Sequence, residues 1–456
     1  MNLNVAETDV QSVESVFVRF ARGHLDRAAS ANAFNILKLS LLDWLAVGAA
    51  GVREPVSTVV RDHASGDGGT GDAAVFGLDQ RLPARAAALV NGTTSHALDY
   101  DDTHFAYLGH PSVAVFPAAL ALAERSRLGG QAFLEAALVG VETACRIGQW
   151  MGRSHYEAGF HQTATSGTFG AVAAGARLLG LTDEQTGHAF GLAATKASGL
   201  KSQFGTMGKP YHAGLAASNG VDAAMLAAGG FVSNPIGLSG HQGFAATHGR
   251  GDRNPGNSFA GLGRSFLFEQ VQHKFHACCH GTHAMLEAIY VLMQSQKISL
   301  PDVAAMRVTV HPRFLDVCNI AEPRTGLEAK FSFRQTAAMA FAGVDTGALE
   351  NFDEHVCHRP ELASFRQRVS VETDANLADG ETTIEVTTAS GDSLSAHHDI
   401  DAELPLAERE AKVRSKAASL LGADRAAQTW DRISALESSS APVSLSELLG
   451  RICSRR

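Results

Sequence analysis

Met306-Arg-Val-Thr-Val-His311 alternates apolar and polar side chains, the period-two pattern of a strand with one buried face. Upstream, from residue 13 to about 268, the period is different: the chain is rich in Ala, Leu and Gly, and apolar residues return at three and four positions. That is the pattern of helices packed on helices. Helices are expected over 34–50, 85–98, 131–151, 167–179 and 219–228, with small residues letting their axes approach closely. Thr182 can cap a helix whose Gln185 closes a capping box, which places another over 183–192. The Gly- and Asp-rich stretch 64–72 reads as a loop.

Downstream, two further alternating runs, 368–372 and 382–388, flank an Asp379-Gly380 turn, and a helix is expected from residue 330 or 333 to 341. Helical patterning resumes over 404–421 and again over 444–452. The fold class is therefore mainly α. A discontinuous helical bundle, 1–273 plus 404–456, is interrupted by a smaller α+β domain, 274–403.

Hydrophobic residues make up 45% of the 456 and charged residues 19%, enough apolar material for a sizeable core. A net charge of -9 argues against nucleic acid, which needs a basic face. The N-terminus lacks the basic start and apolar run of a secretory signal, and apolar runs such as 113–123 fall short of the roughly 20 residues that span a bilayer. A cytoplasmic location with no membrane partner is expected. Six cysteines in so long a chain do not form a disulfide framework, and adjacent Cys278 and Cys279 are poorly placed to bridge each other.

The densest chemistry lies in His96-Ala-Leu-Asp-Tyr-Asp-Asp-Thr-His104, continuing to His110-Pro-Ser112. On a helix Asp99 and Thr103 would share a face, and clustered acids can raise one another's pKa and act as acid or base. Helix capping by Asp101 and Asp102 with His104 on the surface is the plainer alternative, and a magnesium site is another. In His155-Tyr156 through His161 to Thr168, Tyr156 and His161 can carry protons, although such a pair is often structural. Lys209, between Gly208 and Pro210 and just ahead of an alanine-rich helix, gains nothing from the helix dipole there, so a substrate carboxylate or plain solvent is its partner.

His273-Lys274-Phe-His276-Ala-Cys278-Cys279-His280 looks like a soft-metal site, but its spacing is not that of zinc motifs, and anion binding or proton shuttling fits better. Arg324 and Lys330 add cations that can grip a carboxylate or simply be solvated. No dinucleotide fingerprint, phosphate loop or nucleophile elbow is present, so a reaction without metal or other cofactor is expected.

These motifs, in order, resemble the MmgE/PrpD family, which includes 2-methylcitrate dehydratase, cis-aconitate decarboxylase and iminodisuccinate epimerase. The residues carrying the resemblance are Asn91-Gly, His96 to Thr103, His110-Pro-Ser, Gly159-Phe-His161, Lys209-Pro with His212, Lys274 before Thr282-His283, and Leu327-Glu-Ala-Lys-Phe. The resemblance implies a helical domain from both chain ends, an inserted α+β domain, an active site between them and a homodimer. It nominates Asp99, Thr103, His110, His161, Lys209 and Lys274 as site residues, with Tyr156 and Lys209 similar to the epimerase's opposed pair. His276, Cys279 and Arg324 join Thr103 and Lys274 as expected substrate contacts.

Three departures point away from decarboxylation of cis-aconitate. The 103–110 loop is one residue longer, Cys279 stands where that enzyme has a histidine, and the Cys318-Asn319 region lacks its tyrosine. The expected reaction is removal of a Cα proton from a small anionic polycarboxylate, as a dehydratase-type lyase. An epimerase and a non-catalytic carboxylate-binding protein are the alternatives.

Overall fold

The computed structural model describes residues 12–69, 71–249, 258–439 and 441–450. It is mainly α, with a smaller α+β portion, and the chain divides into two compact units: 1–273 with 420–456, and 274–419.

In the first unit the long helices are α1 (Val13–Arg22), α2 (Arg27–Ala50), α3 (Pro55–Gly66), α4 (Ala84–His96), α5 (Pro111–Arg125), α6 (Gly130–Glu157), α7 (Gln162–Leu178), α8 (Asp183–Lys196) and α9 (Gly208–Ala228). Helices α2, α7 and α9 start earlier than the apolar period suggests, because small and polar residues fill their first turns. The expected 219–228 helix is the second half of α9, and 167–179 begins five residues sooner as α7. The expected capping box is present, with Thr182 Oγ1 accepting from Gln185 N at 3.1 Å and Gln185 Oε1 accepting from Thr182 N at 3.0 Å. The 64–72 loop begins only after Gly66, where α3 ends.

Glycine decides how closely α4 and α9 pack. A Cβ on Gly214 would lie 2.2 Å from both Leu89 O and Thr93 Oγ1, and one on Gly92 would lie 2.7 Å from Gly214 Cα. Only backbone against backbone fits there, which brings the end of α4 beside the start of α9. A two-stranded ribbon, β1 (Ala73–Val75) and β2 (Leu78–Leu82), packs against α4 and α5. Helix α2 is long and apolar enough to cross a membrane by length and composition, but 78% of its apolar window is buried in the fold.

The second unit carries a four-stranded sheet ordered β4-β3-β5-β6, from β3 (Val303–Val310), β4 (Val369–Thr373), β5 (Glu381–Thr388) and β6 (Ser393–Asp399). Val303, Met306, Val308 and Val310 form the buried face of β3. The Asp379-Gly380 turn does not join neighbours: β3 lies between β4 and β5, parallel to β4 (Met306 opposite Val369) and antiparallel to β5. A parallel pair needs a long crossover, and the helices between 311 and 368 supply it. β6 has no clear apolar alternation because it is a polar edge strand, half exposed along its length.

Helix Leu406–Leu421 stays with the second unit to Ser419, so the second unit ends beyond 403. The physical reason is Lys412, whose Nζ lies 3.0 Å from both Glu287 carboxylate oxygens and 5.3 Å from the Phe275 ring centroid.

Candidate active site

Three helices of the first unit begin at residues of interest. His110 is the N-cap of α5, with Pro111 in the first helical position; His161 is the N-cap of α7; Lys209 lies inside the first turn of α9, not ahead of the helix. His110 N donates to Thr163 Oγ1 in the first turn of α7 at 3.0 Å, which ties the starts of α5 and α7 together.

Asp99 joins these starts. Its carboxylate lies 2.7 Å from Lys209 Nζ and 3.5 Å from His110 Nε2. Asp99 and Thr103 do not share a helix face. Helix α4 ends at His96, Asp99 takes a left-handed φ of 51°, and Thr103 is in a β-bridge with Gln272, with N···O distances of 2.8 and 2.7 Å. The left-handed conformation is tolerated by Asp better than by most residues and turns the chain sharply, so consecutive acids face different partners.

Behind Asp99, Asp101 is fully buried between two imidazoles. It accepts from His96 Nδ1 at 2.9 Å and lies 2.8 Å from His110 Nδ1. Burial opposes its ionisation, but His110 and then His96 more than offset this and hold its pKa well below the ordinary carboxylate range. With Nδ1–H of each ring directed at Asp101, the Nε2 atoms are left for other partners.

His161 and His212 place their Nδ1 atoms 3.2 Å apart, so one donates to the other. The His161 ring stands edge-on to Phe204 at 5.0 Å, and Lys209 Nζ is 5.5 Å from the same Phe204 ring. Burial, reinforced by Lys209 and the neighbouring histidines, pushes the His161 pKa well below its usual value. The imidazole is thereby kept neutral.

Asp102 belongs to a different, fully buried setting. It accepts from Ser112 Oγ at 2.5 Å and Ser112 N at 3.4 Å, inside the first turn of α5. Burial and then Asp43 push its pKa up to about 7. Because the folded value lies above the ordinary 3.8, its contribution to stability is full at low pH and is lost as pH rises toward about 7. Asp102→Asn should therefore flatten the fall in melting temperature between about pH 4 and 7, which thermal melts across buffers will read.

His104 is buried rather than on the surface, its Nε2 2.8 Å from Leu267 O, and burial pushes its pKa down to about 4. The 105–109 loop is pinned by buried Tyr107, whose hydroxyl donates to Gln162 O at 3.0 Å. Residues 251–257 lie outside the described residues.

Tyr156 is half-buried, with Lys201 Nζ 3.6 Å from its ring centroid. In the second unit Lys274 is buried, and His276 Nδ1 bonds Thr346 Oγ1 at 2.8 Å. Cys279 N donates to Lys330 O at 2.9 Å. Arg324 is exposed, its backbone N donating to Glu328 Oε2 at 2.6 Å, and Asn319 Oδ1 accepts from Arg334 Nη1 at 2.6 Å. All the cysteines among the described residues are free thiols.

The structure thus brings Asp99, His110, His161 and Lys209 together, and adds His96, Asp101, His212 and Phe204. His96 and His212 appear in the sequence motifs but receive no role from spacing, since 51 residues separate His161 from His212. Among the described residues, the grouping of His, Asp, Glu or Cys with metal-ligand proximity is His96, Asp99, Asp101 and His110, not the Cys278-Cys279 run.

Fold and site together define a two-unit, mainly helical protein that gathers histidines, carboxylates and a lysine at helix N-termini. Two family descriptions match it: the MmgE/PrpD N-terminal domain over residues 16–255 and the MmgE/PrpD C-terminal domain over 276–438. The chain belongs to the MmgE/PrpD family.

Human cis-aconitate decarboxylase is 29% identical over 347 residues, 74% of this chain and 71% of the human one. A cis-aconitate decarboxylase-like protein of Aspergillus oryzae is 33% identical over 270 residues, 56% of each chain. The cis-aconitate decarboxylase of Aspergillus terreus is 33% identical over 270 residues, 56% of this chain and 55% of its own. The chain thus spans little more than half the length of the two fungal relatives.

Proposed function

We propose that this protein is a cofactor-independent lyase that removes the Cα proton of a small polycarboxylate, with loss of a β-hydroxyl as water. The observation that carries the reading is the Lys209–Asp99–His110–Asp101 chain at the starts of α5 and α9, beside neutral His161. Helix N-termini and an ammonium group favour an anion, and they stabilise the enolate-like charge that forms as the proton leaves.

In this reading Lys209 holds a carboxylate next to the reacting carbon and His161 takes the proton, with Tyr156 or Lys209 as the other possible bases. Asp99 tunes Lys209, and His110, oriented by Asp101, gives a proton to the departing hydroxyl. Positioned acids and bases of this kind contribute about 10²–10⁴ in rate. Thr103 and Lys274, on the family resemblance, and His276, Cys279 and Arg324, on their chemistry, remain proposed substrate contacts. A cytoplasmic homodimer belongs to the same proposal.

Carbon dioxide release is the second reading, supported by the decarboxylase activity that the relatives' names carry. The longer 103–110 loop, Cys279 and the Cys318-Asn319 region weigh against it, as positions where the chain departs from the decarboxylase pattern.

The test is incubation in heavy water with citrate-like, tartrate-like and imino-diacid substrates, followed by NMR. Alkene formation with release of water is the expected result. Deuterium at Cα without an alkene would make it an epimerase, and carbon dioxide release a decarboxylase. Tight carboxylate binding with neither exchange nor turnover would leave a binding protein and sink the proposal.

A further inference from the structure

We propose that His96, Asp99, Asp101 and His110 form a zinc-binding site in which the ion competes with Lys209, so that Zn²⁺ is an inhibitory ligand of this protein. Each of the four side chains offers a ligand atom, and these atoms all lie within 4.8 Å of one another. Three of the residues are buried, and the Asp99 side chain, 41% exposed, is the open side through which an ion enters.

The donor set selects the metal. Two imidazoles with two carboxylates suit a borderline ion that accepts nitrogen and oxygen in a four-coordinate shell. Magnesium and calcium prefer all-oxygen sites. The His96 ring is also free to adjust: among the described residues, its Nε2 is buried with no hydrogen-bond partner. An ion held by this set takes the place of the 2.9 Å hydrogen bond between His96 Nδ1 and Asp101.

Lys209 supplies the competition. Its ammonium sits 2.7 Å from the Asp99 oxygen that a dication would also claim, and the two cations repel at such separations. Bound zinc takes Asp99 and His110 away from proton transfer. The inhibitory consequence rests on the proposed reaction, whereas the binding does not.

Calorimetric titration of untagged, chelator-stripped protein with zinc chloride tests the site without any substrate. One ion per chain is expected. His110→Gln and, separately, Asp99→Asn should weaken binding by at least about tenfold, while Lys209→Met should tighten it on the order of tenfold. Circular dichroism shows whether each variant is folded, and Asp99→Asn, at a half-exposed position, serves if His110→Gln does not fold. Absence of saturable one-to-one binding overturns the proposal. So does binding that folded Asp99→Asn leaves unchanged, which would place the ion elsewhere, as on the Cys278-Cys279 run. One-to-one binding without inhibition of a measured turnover would overturn the inhibitory part alone.

Discussion

Lys209→Met is expected to lower kcat/KM on the carboxylate substrate by about 10²–10³-fold, the usual loss when one preorganised charge that stabilises a transition state is removed. The fold should not suffer. A cation in the first turn of α9 opposes the helix dipole by about 0.3–1 kcal/mol, and Asp99 compensates it, at 2.7 Å and partly exposed. Met keeps an unbranched side chain of similar length and removes the charge. Steady-state kinetics paired with thermal melts give both readouts, and near-normal turnover would remove Lys209 from the mechanism. Lys209→Arg should not restore activity, because a planar guanidinium cannot replace a compact ammonium at the same point.

The second large effect is expected at a residue that need not touch substrate. Asp101→Asn should lower turnover by about 10²–10⁴-fold and shift the pH profile, since an amide offers one acceptor and one donor to two rings that both turn Nδ1 toward it. One histidine must then change tautomer or turn away. Stability should fall as well, by about 3–5 kcal/mol, the penalty for breaking a buried charged pair.

The pH dependence has a definite sign. The folded pKa of Asp101 lies below the ordinary 3.8, so its stabilisation is present above that value and is lost as pH falls below it. Wild-type protein should therefore lose stability in acid more steeply than the variant. Equal acid sensitivity, with an unchanged pH–rate profile, would show that Asp101 does not position His110.

Period alone locates the major helical regions and the one-sided strand β3, because burial of a single face leaves a mark every two or every three to four residues. It misplaces the starts of α7 and α9, where Thr, Ser, Gly and Lys fill the first turns. The left-handed turn that separates Asp99 from Thr103 is missed as well, since such a turn at a non-glycine residue leaves little trace in composition. Asp99, His110, His161 and Lys209 were legible as unusual residues within motifs. The parts Asp101, His96 and His212 play were not, because their partners are set by where α4, α5, α7 and α9 meet. β6 was invisible for a related reason: an edge strand needs no apolar face to pair with β5.

The first unit is closed by chain from beyond the second. Val443 N donates to Leu128 O at 2.9 Å, Leu445 N donates to buried Glu124 at 2.7 Å, and helix Ala423–Ser434 packs on α2. During synthesis, α2 and α5 leave the ribosome roughly 300 residues before these closing segments, at about 5–20 residues per second. For some tens of seconds the nascent bundle therefore has one uncovered flank. During that interval its apolar surface is open to aggregation in a way the finished protein's is not.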